Sequence, residues 1–298
     1  MPTQTLEDIR SNGLLQCLFQ PIYSLCEQQI LGYEALSRGP EDSPLFTPLQ
    51  LFAAARETAQ LCELDSFCRQ LACSRFRQLQ LQGLLFLNVS PESLLDPEHK
   101  PGRTLKLIDS LGLCPSNVVI ELTEHAPGQD FALLEKALRH YRAMGFRIAL
   151  DDLGSGFSSL RLWSELRPDY VKIDRHFIQG IHQDAVKREF VSSIVKMAGA
   201  SRAQVIVEGV EQREELTTLI NLGVDLVQGF LLCEPQAFPP LQAGDILTQL
   251  LPPANTPPVA EKPLLSLLLQ QSGVNQGAQI NDVLQRFQQQ ANLNSLVV

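Results

Sequence analysis

Two aspartates stand side by side in the stretch ALDDLGSGFSSL, at Asp151 and Asp152. Adjacent carboxylates raise each other's pKa, so such a pair asks for a cation. Other acids recur in similar settings: Glu34 in YEALSRG, Glu121 and Glu124 in IELTEH, Glu208 and Glu211 in VEGVE. Asn88 in LNVSP, Lys172 in VKID and Gln228 in VQGF add two amides and an ammonium, and Arg38 follows Glu34 by four positions. An all-oxygen set without paired His or Cys favours hard divalent cations, Mg2+ or Mn2+, over zinc. Adjacent aspartates suit two ions, one carboxylate bridging them while its neighbour caps the second, which is the chemistry of phosphate-ester hydrolysis. Gly154-Ser155-Gly156 is no phosphate cradle, because neither a Walker lysine nor Rossmann spacing accompanies it.

Taken singly, each residue also has a plain structural reading. A strand-end acid often caps a helix, Asn88 before Ser-Pro suits a turn, and Lys172 suits a solvated end. Glu124 and Glu211, three residues past Glu121 and Glu208, suit loop anchoring or support of a ligand better than ligation. Recurrence at successive strand ends is what gives the set its weight.

The elements that would position these groups are short apolar runs alternating with amphipathic segments. The pattern predicts strands over Leu15–Tyr23, Ile30–Ser37, Leu84–Val89, Val118–Thr123, Phe146–Leu150, Tyr170–Ile173, Gln204–Val207 and Leu226–Leu231. Helical patterns cover Pro48–Leu79, Asp130–Met144, Asp184–Ala200 and Gln212–Leu222. Eight strands with intervening helices over roughly 240 residues fit an α/β (β/α)8 TIM-like barrel, whose functional residues gather at the C-terminal strand ends. A doubly wound open sheet is the competing architecture. Only SLCEQQ joins the first two strands, too short for a helical crossover, so the first strand is predicted antiparallel to the second.

The 298 residues, 44% hydrophobic with net charge −9, describe a folded chain without the basic face that tracks DNA or RNA. The N-terminus lacks a signal-peptide pattern and no apolar run approaches a membrane span, so the expected location is cytoplasmic. The seven cysteines include no Cys-x-x-Cys pair and read as buried reduced thiols. Residues 1–250 form the expected barrel domain. The proline-rich stretch LPPANTPPVAEKP, 251–263, reads as a stiff linker. The tail, 264–298, carries an apolar helix face at Ile280, Val283, Leu284 and Phe287. It is too short for its own core, and either docks on the barrel or a partner chain or, the preferred reading, opens a truncated regulatory domain. It loosely resembles the opening helix and strand of a CBS domain.

The series YEALSR, LNVSP, ELTEH, DDLGSGFSSL, PDYVKID, VEGVE and VQGF, with FQPIYSL near the start, resembles in order and spacing the motifs of the EAL-domain family of cyclic di-GMP phosphodiesterases. The resemblance spans roughly residues 10–245. It implies a barrel with a reversed first strand, hydrolysing cyclic di-GMP to linear pGpG with two Mg2+ or Mn2+ ions, in a protein that commonly forms homodimers. It implies metal ligation by Glu34, Asn88, Glu121, Asp151 and Asp152, with Lys172, Glu208 and Glu34 as the catalytic set. Arg38, Gln228 and Gln20 would bind substrate, Glu124 would steady the loop after the fifth strand, and Glu211 would support the site. Leu153, Ser155, Val207 and Gly39-Pro40 depart from the usual family residues. The departures touch the loop beside the second metal, the dimer surface and packing around guanine. The rival reading is a catalytically silent cyclic di-GMP receptor, which usually lacks a metal ligand or the lysine. An enolase-type lyase would not account for Arg38 or LNVSP.

Overall fold

In the computed structural model the described residues are 5–90, 92–93, 102–123, 131–153 and 159–251. The chain divides into two units at Leu251, and the second, Pro252–Val298, lies outside the described residues. The linker and tail expectations therefore fall outside them as well.

The strands are β1 (Gln16–Ser24), β2 (Gln29–Arg38), β3 (Leu84–Asn88), β4 (Val118–Thr123), β5 (Arg147–Leu153), β6 (Tyr170–Ile173), β7 (Gln204–Val207) and β8 (Leu226–Val227). They close into one barrel in sequence order, which removes the open-sheet alternative. β1 runs antiparallel to both β2 and β8, while every other pairing is parallel. The hairpin inferred from the short SLCEQQ connection is the cause of this reversal.

The α-helices bounded within the described residues are α1 (Leu6–Ser11), α2 (Pro48–Glu57), α3 (Leu61–Gln78), α4 (Arg103–Ser110), α5 (Phe131–Ala143), α6 (Ser159–Leu166), α7 (Ala185–Ser201), α8 (Arg213–Asn221) and α9 (Ile246–Leu250). The single helix expected over Pro48–Leu79 is two. Ala59 takes a left-handed φ of +56° and Gln60 N–H donates to the Ala55 carbonyl, which ends α2 without the glycine that normally marks such a stop. Among the described residues no helix is long and apolar enough to cross a membrane.

Period-two alternation builds the barrel interior. Ile22, Phe86, Val119, Ala149, Tyr170, Ile206 and Leu226 belong to one buried apolar cluster inside the ring, and the Phe86 and Tyr170 rings meet edge to face at 5.4 Å. Gly32 completes this level on β2, where a Cβ would lie 2.3 Å from the Leu84 carbonyl oxygen. Two residues beyond, each parallel strand presents a polar group: Glu34, Asn88, Glu121, Asp151, Lys172, Glu208 and Gln228. β1 runs the other way, so its polar group, Gln20, precedes Ile22. One apolar plug thus supports a polar ring contributed by all eight strands.

β8 is shorter than the expected Leu226–Leu231. At Gly229 the chain presses on Val210, whose carbonyl oxygen would lie 2.2 Å from an added Cβ. Pairing continues irregularly there, through Val210 N–H to Gln228 O and Leu231 N–H to Val210 O. Cys17, Cys68 and Cys73 are the expected buried thiols, each pushed up to about 12 chiefly by burial. Cys26 and Cys114 are exposed, contrary to that reading.

Candidate metal centre at the barrel mouth

Lys172, 1% exposed, stands at the middle of the polar ring. Its Nζ lies 2.5 Å from Glu208, 2.9 Å from Glu121, 3.1 Å from Glu34 and 3.4 Å from Asp151. Three N–H groups cannot satisfy four carboxylates. Burial opposes the lysine's charge, but Asp151, Glu121, Glu208 and Glu34 outweigh it and hold the ammonium well above its ordinary pKa.

The carboxylates divide by environment. Burial pushes Glu34 up, yet Lys172 and hydrogen bonds from Gln228 (2.9 Å) and Asn88 (3.0 Å) leave its pKa lowered. Burial dominates at Glu121, Asp151 and Glu208, and all three are raised. Glu121 is fully buried, and its Oε2 has no hydrogen-bond partner among the described residues. An acid so placed is costly unless a cation shares it.

The paired aspartates are brought together by a distortion of β5. Leu150 pairs with Val171 and Leu153 with Ile173, so β5 spends three steps where β6 spends two. This is a β-bulge, and Asp152 sits in it with a left-handed φ of +55°. Neighbours on a regular strand face opposite ways; here one oxygen from each of Asp151, Asp152 and Glu208 lies within 4.8 Å of the others. Oxygen donors alone at this spacing fit hard divalent cations.

Gln228 Nε2 also donates to Gln20 Oε1 at 2.8 Å, and Gln20 Nε2 to the Cys233 carbonyl at 3.0 Å, so these two amides fix one wall. Arg38, half-buried at the end of β2, donates to the Ser37 carbonyl at 2.8 Å; burial lowers its pKa and the Glu34 charge partly offsets this. From Glu34, Asn88 and Asp152 a cleft of about 430 Å³ runs past Leu36, Pro48 and Phe52 to Arg56 and Glu92. Glu124 lies outside the described residues. Glu211 has an exposed side chain, and the buried acid beneath that turn is Glu215, a residue the motif reading passed over. Its signal was the capping spacing from Gln212 to Glu215.

In the wall of the cleft, Asp65 and Arg69 form a buried ion pair on α3, and Asp65 Oδ1 accepts from Ser90 N–H, two residues past Asn88. Arg69→Met leaves that carboxylate buried without its counter-charge, with only the Ser90 N–H still donating to it. It should cost about 3–5 kcal/mol in denaturant unfolding, with much of the loss recovered when Asp65→Leu is added.

Comparison with known proteins agrees with this geometry. The EAL domain family model matches residues 3–235. The chain belongs to the EAL domain family. The cyclic di-GMP phosphodiesterase RocR of Pseudomonas aeruginosa is 32% identical over 75% of this chain and 58% of its own. The blue light- and temperature-regulated antirepressor BluF of Escherichia coli is 26% identical over 72% of this chain and 53% of its own. Klebsiella pneumoniae BlrP1, solved with manganese and cyclic di-GMP, superposes with a TM-score of 0.69 at 30% identity, covering 79% of this chain and 57% of that one. The EAL domain chain spans 27% to 58% of the length of such curated relatives.

Proposed function

We propose that this EAL domain hydrolyses cyclic di-GMP to linear pGpG at a centre holding two divalent cations, Mg2+ or Mn2+. The observation that carries the reading is the convergence of Glu34, Glu121, Asp151 and Glu208 within 3.4 Å of one buried lysine, with Asp152 turned toward them by a bulge. Four carboxyl groups share one ammonium, and burial raises three of them, so their full ionisation calls for further positive charge that divalent cations would supply.

Glu34, Asn88, Glu121 and Asp151 would hold one ion, and Asp151 with Asp152 the second, beside Glu208. When bound, such ions supply Lewis acidity and a more acidic water. Lys172, fixed by its acidic neighbours, holds the attacking water and stabilises charge gathering on the phosphoryl oxygens. Gln228 and Gln20 keep Glu34 in register with it. Arg38 grips a phosphate with its planar fork. The water oxygen bonds to phosphorus as the P–O3′ bond breaks, the water's proton passes to the departing 3′ oxygen, and the product carries a 5′ phosphate. The active form is a homodimer.

Incubation of cyclic di-GMP with the protein and Mn2+, followed by chromatography, should yield pGpG. Binding without turnover under every divalent cation would instead support a receptor, the reading that the likeness to an antirepressor favours.

A further inference from the structure

Glu215, on the first turn of α8, is a carboxylate only 1% exposed. Three backbone donors reach it: Gly180 N–H at 2.8 Å on Oε1, and Glu211 and Gln212 N–H, each at 3.1 Å, on Oε2. Gly180 belongs to the segment after β6, the strand that carries Lys172. Glu211 and Gln212 belong to the turn that begins at Glu208, directly after β7.

That turn has little freedom besides. Gly209 has a φ of +68° and passes so close to Arg175 that an added Cβ would lie 2.3 Å from the Arg175 Cβ. Glu208 N–H donates to the Ile173 carbonyl at 3.1 Å, so β6 and β7 are tied at the level of the site as well. Helix capping would use the Gln212 N–H alone. Glu215 also takes Gly180 from a different loop, and the helix end does not require that contact.

The geometry points to Glu215 as a positioning residue that sets cation affinity at the Asp151, Asp152 and Glu208 cluster by fixing the turn that delivers Glu208. Glu215 touches no reacting atom; it acts through Glu208. This rests on the metal-centre reading above and adds to it a residue outside the motif series. Residues that orient metal ligands typically change metal affinity 10–100-fold when removed. Leucine at 215 would leave three N–H groups without their acceptor. Glutamine keeps one oxygen acceptor and turns an NH2 toward the remaining donors.

The test is Mn2+ binding to the full chain, followed by electron paramagnetic resonance without substrate, on wild type, Glu215→Leu and Glu215→Gln. Circular dichroism and thermal unfolding identify the folded variants. We expect Mn2+ binding weakened about tenfold or more in Glu215→Leu and by less, though beyond about twofold, in Glu215→Gln. Turnover per folded molecule should fall while KM for cyclic di-GMP holds. If Glu215→Leu does not fold, Glu215→Gln decides. A folded variant that binds Mn2+ within about twofold of wild type overturns the assignment, as does wild type that binds no Mn2+. Wild type that binds Mn2+ yet never turns over cyclic di-GMP overturns the hydrolytic reading and leaves the role of Glu215 standing or falling on the Mn2+ comparison alone.

Discussion

Replacing Lys172 by methionine should lower turnover of cyclic di-GMP by about 10²–10³-fold, the loss typical when one preorganised charge contact to a transition state is removed. It should also destabilise the metal-free protein. Glu34, Glu121, Asp151 and Glu208 all lie within 3.4 Å of the ammonium, and the apolar plug below them offers no substitute partner. Removing one member of a buried ionic group costs about 3–5 kcal/mol. Methionine fills nearly the same space, so charge rather than volume would account for the change. Because a cation that binds only the folded state stabilises it by mass action, Mn2+ should recover part of the loss. Thermal unfolding with and without Mn2+ checks this. An unchanged unfolding temperature in metal-free K172M would show that the lysine does not balance the acids.

Asp151→Asn should separate activity from stability. The substitution keeps shape but removes the charge that both ions would share, so turnover should fall by at least about 10²-fold. Stability should move the other way. Burial, together with the Glu34 charge, already raises the Asp151 carboxyl against the pull of Lys172, which means the ionised form is disfavoured in the fold. A neutral amide removes that conflict, so metal-free Asp151→Asn should melt at or above the wild-type temperature while losing the rise produced by Mn2+. Sites that hold like charges together for function commonly gain stability when the charge is removed. Activity assays paired with thermal unfolding settle it, and a variant that is both destabilised and fully active would contradict this role.

Much of the site was legible because its physics is local. A period of two places an apolar residue inside the barrel and a polar one two steps on, so the strand-end acids, Lys172 and Gln228 could be found from Glu34 onward without any contact being known. The reversed β1 followed from the length of a single connection. The bulge was not legible: β5 was expected to stop at Leu150, yet it runs to Leu153 with Asp152 left-handed, and alternation alone cannot announce an extra residue. Nor did the pattern reveal Asp65 and Arg69 as buried, since charges on an amphipathic helix read as its solvent face. Glu211 drew attention through its motif, whereas Glu215 holds the turn, because burial of a carboxylate under backbone donors depends on loops distant in sequence. The break at Ala59 likewise lacked its usual glycine.

The most direct test of the central claim is anomalous diffraction from crystals grown with Mn2+ and cyclic di-GMP. Two manganese peaks are expected at the barrel mouth, one among Glu34, Asn88, Glu121 and Asp151 and one against Asp151 and Asp152 beside Glu208. A bound dinucleotide with no manganese among these carboxylates would contradict it.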